Sequence, residues 1–140
     1  MDFKDFVENG KVKKGERDIQ LAKSLLETTE QDLVFLNSLK VSSISARRIF
    51  SNYYDCLRAI IESIAALDGF KVYSHEAFTY YLKQNKKEEN AALIYDRLRK
   101  IRNNINYYGK SITAEESEEH KEKIMELIRV LRRKYLGNLK

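Results

Sequence analysis

Proline is missing from all 140 residues, and glycine occurs only five times. Proline breaks helix interiors and glycine marks turns and caps, so a chain this sparing with both can run in long helices. Apolar residues recur at helical spacing in three stretches. They are Ile19, Ala22, Leu25, Leu26, Leu33 and Leu36; then Tyr53, Leu57, Ile60, Ile64 and Leu67; then Ile94, Leu98, Ile101, Ile105 and Tyr108. Nothing alternates as a half-buried strand would. Ser42 or Ser43, Ser74 and Thr113 offer N-caps, the last in a capping box with Glu116. Gly69 and Gly109 offer stops. The spacing predicts helices over about 14–39, 43–68, 74–83, 88–108 and 114–137. The expected fold is all-α: an antiparallel up-and-down bundle of four main helices plus a short fifth. Residues 1–13 read as an N-terminal arm that docks through Phe3 and Phe6, and residues 14–137 as the bundle.

This length suits one domain with its own core. The net charge of +5 permits an RNA, nucleotide or acidic protein partner without requiring one. The last helix opens on Glu115, Glu116, Glu118, Glu119 and Glu122 and closes on Arg129, Arg132, Arg133 and Lys134. That order complements a helix dipole and needs no ligand. Cys56 stands alone, which excludes an internal disulfide or a cysteine zinc site and fits a small core residue. His75 follows the cap Ser74, where a neutral imidazole is comfortable, and His120 sits among glutamates as a surface residue. No metal-ligand spacing, Walker loop or dinucleotide glycine motif occurs, so no metal or cofactor is expected. With no signal-peptide pattern and no long apolar run, the expectation is a cytoplasmic protein without a membrane partner.

The fourth helix carries Arg99-Lys-Ile-Arg102-Asn103-Asn-Ile-Asn106-Tyr107-Tyr108-Gly109. At roughly 100° per residue, Arg102 falls at the edge of the apolar stripe, with Arg99 and Asn106 on the same flank. Tyr107 points away from the core and Tyr108 into it. On the second helix Arg47, Tyr54 and Arg58 line one side of the stripe. If the two flanks face each other, the groove between them could hold phosphate on guanidinium groups and stack a base on tyrosine. Alternatively, these arginines cover apolar surface or pair with carboxylates.

Taken in order, Ser51-Asn-Tyr53-Tyr54, Gly69, Ser74-His75 and Arg102-Asn103 give the chain a resemblance to the HEPN family of helical, RNA- and nucleotide-associated proteins. The resemblance extends from about Lys14 to Leu136. It implies a helical bundle, usually a homodimer. Many members are metal-independent endoribonuclease toxins encoded beside a nucleotidyltransferase antitoxin. The family's catalytic arginine and polar residue carry over to Arg102 and Asn103. Its histidine falls at Tyr107 or, with one residue more, at Tyr108. Histidine exchanges a proton near pH 7, whereas an unperturbed tyrosine titrates near 10.

The residues and the resemblance together imply RNA or nucleotide binding, by a homodimer as the family suggests, with weak or no nuclease activity. An active toxin paired with a nucleotidyltransferase antitoxin is the first rival. A non-catalytic bundle that binds another protein is the second.

Overall fold

In a computed structural model that describes residues 1–139, six helices follow one another along the chain. They are α1 (Phe3–Glu8), α2 (Ile19–Asn37), α3 (Ala46–Leu67), α4 (His75–Tyr80), α5 (Glu89–Tyr108) and α6 (Ala114–Tyr135). A π-helical turn, Tyr81–Asn85, extends α4. The fold is all-α, and its only sheet among the described residues is a ribbon of β1 (Val12–Lys14) and β2 (Phe70–Val72). No helix among these residues is long and apolar enough to cross a membrane.

The contacts radiate from α3. Its buried set includes Ile49, Phe50, Tyr53, Tyr54, Leu57, Ile60, Ile61 and Ile64, wider than one stripe, as expected of a helix covered on several sides. Helices α2 and α6 make the most extensive contacts with it, and α4, α5 and β2 cover the remainder. Two buried hydroxyls tie the layers together. Ser63 Oγ donates to the Ala22 carbonyl at 2.9 Å, joining α3 to α2. Ser117 Oγ donates to the Ala46 carbonyl at 3.0 Å, joining α6 to α3. Each buried hydroxyl thereby has a partner.

The helix ends follow local chemistry. Thr113 and Glu116 form the expected capping box. Gly109 closes α5 at φ +64° in the left-handed region. The first long helix, by contrast, begins at Ile19 and not near Lys14. Asp18 caps it by accepting from the Leu21 N–H at 3.0 Å, while residues 12–14 are drawn into the ribbon. These strands correct the expectation of none. At three residues each they are too short for alternation to register.

Gly69 makes the ribbon possible. It sits at φ +85°, and a Cβ there would lie 2.3 Å from the Gly15 carbonyl oxygen, which only glycine avoids. Phe3 and Phe6 of α1 are buried; Phe3 meets Phe70 edge-on at 5.1 Å, so the ribbon and the N-terminal helix pack as one layer.

Several side chains depart from the helical-wheel expectation. Tyr108 is 75% exposed and does not enter the core; it is the last residue of α5, just before the left-handed Gly109. Ile19 is likewise exposed, at the first residue of α2. Tyr54, expected on a flank, is completely buried. His120 is half-buried with its ring 5.2 Å from Phe50, not a solvated surface residue.

Candidate anion-binding site

Helices α3 and α5 pack side by side, and this brings the two arginine-bearing flanks together. A cleft of about 300 Å³ opens between them, lined by Arg47, Arg48, Ser51, Asn52, Asp55 and, from α5, Arg102, Ile105 and Asn106. Its α3 wall follows directly from spacing. Arg48, Ser51, Asn52 and Asp55 stand at i, i+3, i+4 and i+7, a polar stripe beside the apolar one.

Arg102 is the pivot. Its guanidinium lies 5.6 Å from the centre of the Tyr54 ring, a cation–π contact that fixes the side chain against the core. Its nearest carboxylate, Asp55, is 3.9 Å away, long for a hydrogen-bonded pair. Its buried Nε has no partner among the described residues. Arg102 thus holds a charge near the floor of the cleft that the protein only partly satisfies. Burial pushes the Asp55 carboxyl up from its ordinary range, against the opposing pull of Arg102 and Arg58.

Two of the other expected arginines are committed elsewhere. Arg99 grips Asp96 through Nε at 3.1 Å and Nη2 at 2.8 Å, with Glu76 at 3.9 Å. Arg58 pairs with Glu62 at 2.8 Å. For these two the ion-pair alternative is what the structure shows. Arg47 is exposed and makes no ion pair among the described residues. Asn103 is half-buried but is not among the lining residues. Tyr107 and Tyr108, 71% and 75% exposed, also lie outside the lining set. The structure therefore joins Arg47, Arg102 and Asn106, and leaves both tyrosines apart from them.

Beneath the cleft Tyr54 takes part in a closed polar network. Its hydroxyl is 3.1 Å from His75 Nδ1 and 2.9 Å from the Tyr95 hydroxyl, which donates to the His75 carbonyl at 2.9 Å. Three contacts need three protons. Each tyrosine supplies one, so the third is on His75 Nδ1: Nδ1–H donates to Tyr54, Tyr54 to Tyr95, and Tyr95 to the carbonyl. Neutral His75 then keeps a bare lone pair on Nε2. Burial first, then the positive charges of Arg58, Arg102 and Arg99, pushes the imidazole down to about 4. Burial holds both phenols above their usual value, so they remain protonated.

His75 was legible only as a helix-start residue, since nothing in its local pattern measures its approach to arginines from two other helices. Arg48, Asn52 and Asp55 were also missed, although their spacing marked them.

Comparison of the chain with protein families, curated proteins and solved structures finds no match. No group of histidine, cysteine, aspartate and glutamate among the described residues could hold a metal ion.

Proposed function

We propose that this chain is a HEPN-like protein that binds the phosphate of RNA or a nucleotide in the cleft between α3 and α5. The observation that carries the reading is Arg102, whose guanidinium is held on the Tyr54 ring with its nearest carboxylate 3.9 Å away. A phosphate oxygen would supply the short, charge-assisted partner that Asp55 does not. Arg47 and Arg48 add charge at the rim, while Ser51, Asn52 and Asn106 offer hydrogen bonds to ribose or base. The motif residues quoted for the HEPN resemblance support the same reading. The homodimer and a nucleotidyltransferase partner belong to it as proposals.

Cleavage should be slow or absent near pH 7. No imidazole stands at position 107 or 108, and a base with a pKa near 4, such as His75, draws protons weakly at neutral pH. The free Nε2 lone pair deduced for His75 favours one rival, an RNA-cleaving enzyme using His75 as its base.

Arg102→Ala tests the proposal. It should weaken RNA or nucleotide binding by about 1.5–3 kcal/mol in calorimetry or fluorescence anisotropy. The thermal transition should persist, because the core of α5 rests on Tyr95, Leu98 and Ile105. Unchanged affinity would remove the cleft as the site. Rapid wild-type cleavage lost in His75→Asn would replace the binding reading with the enzyme.

A further inference from the structure

We propose that the outer face of the β1–β2 ribbon is a second nucleic-acid surface, one that takes single-stranded RNA independently of the Arg102 cleft.

The ribbon pairs Val12 with Val72, Lys13 with Lys71 and Lys14 with Phe70. The Tyr73 N–H donates to the Lys11 carbonyl at 2.8 Å and extends the same register by one pair. Side chains alternate across a strand, so Lys11 and Lys13 share a face with Lys71 and Tyr73, opposite to buried Val12. The 5.9 Å approach of Lys13 Nζ to the Tyr73 ring confirms that they lie on one side. Two lysines therefore stand directly opposite each other on a three-residue ribbon. Like charges in that position cost stability, and a short ribbon has little to spare. Replacing either would relieve the repulsion, so pairing within the ribbon gives no reason for two lysines opposite each other.

The surroundings strengthen the charge. Lys14 and Arg17 join Lys13 and Lys71 around an adjoining cleft of about 560 Å³. Among the described residues, none of Lys11, Lys13, Lys14, Arg17 and Lys71 pairs with a carboxylate. Of the two acids in that cleft, Asp18 is engaged in capping α2, which leaves Glu16 as the only acid there without such a task.

The chemistry of the face selects its occupant. A row of unneutralised cations attracts a polyanion. Tyr73, 63% exposed, offers a ring on which an unstacked base can lie, as a single strand allows and a duplex does not. A membrane surface fits less well, since the apolar residues of the ribbon turn inward and Tyr73 is the one ring facing out.

The experiment compares the wild type with Lys71→Glu, Lys13→Ala/Lys71→Ala, Tyr73→Ala and Arg102→Ala. The probes are a labelled uridine-rich single strand, an RNA duplex, and vesicles containing phosphatidylserine. In Lys71→Glu an opposite-charge pair replaces a like one, so the melting temperature should hold or rise, while in the Arg102→Ala background, where the cleft no longer competes, single-strand affinity falls roughly tenfold or more. The double alanine variant should lower the magnitude of the slope of log K against log salt by about 1.4, two single-strand phosphate contacts. Tyr73→Ala should weaken single-strand binding and leave duplex binding unchanged. These losses should recur in an Arg102→Ala background, which separates this surface from the cleft. Lysine variants that, in the Arg102→Ala background, bind the single strand as Arg102→Ala alone does would overturn the proposal. So would wild-type binding to vesicles without binding to RNA, or a fall in melting temperature in Lys71→Glu, which would make the lysine pair a structural element.

Discussion

Proton bookkeeping at His75 shows how much one residue can owe to its place. A histidine at the start of a six-residue helix has no obvious duty, yet three hydrogen bonds among Tyr54, Tyr95 and His75 close only if Nδ1 carries a proton. Nitrogen NMR near pH 7 should therefore find Nδ1 protonated and Nε2 bare, with a titration midpoint near 4 in place of the ordinary 6.5. The opposite tautomer, or a midpoint above 6, would dissolve the network as described. The sign of the coupled stability follows from the same shift. The unfolded chain binds the proton more readily than the folded one between pH 4 and 6.5, so this contribution is complete above about 6.5 and is lost as pH falls towards 4.

At the scale of elements, glycine and two hydroxyl caps carried most of the legible information, although Ser42 and Ser43 do not cap α3, whose N-cap is Ser45. Ser74, Thr113, Gly69 and Gly109 stand where the chain needs caps or a left-handed residue, and the helices they bound fall close to the expected spans. Gly69 also has a second duty that sequence could not reveal, its approach to Gly15 in the ribbon. Gly69→Ala should destabilise the protein by about 2–4 kcal/mol in urea unfolding, through backbone strain and the clash at Gly15 together. A loss below about 1 kcal/mol would mean that the turn adapts cheaply. The candidate site was legible to the extent that it depends on one helix at a time. Arg102 and Asn106 share a flank by spacing alone, and the polar stripe from Arg48 to Asp55 obeys the same rule. Tyr54 was not placed correctly, because α4 and α5 close over it and neither contact is written in α3. Tyr108 failed for a different reason: the wheel assumes a covered face along the whole helix, whereas at the last residue of α5 the ring stays 75% exposed.

Across the whole molecule, the two proposed surfaces adjoin α3 at different heights along its axis. The Arg102 cleft rests on Asp55 and residues before it, whereas the ribbon's basic cleft reaches α3 at Ala66. About three turns of helix, roughly 16 Å, lie between these points. A strand too short to reach from one surface to the other can occupy one at a time, and a longer one can engage both at an effective concentration set by its slack. Affinity for uridine-rich RNA should therefore rise in a step with length. Below the step, Arg102→Ala and Lys13→Ala/Lys71→Ala should each remove one of two independent sites and leave the other's affinity unchanged. Above it, either change alone should abolish the gain in avidity and bring the long strand back to the affinity of a short one. A smooth increase with length, equally steep in both variants, would show that the surfaces do not share a strand and would confine each to a separate ligand.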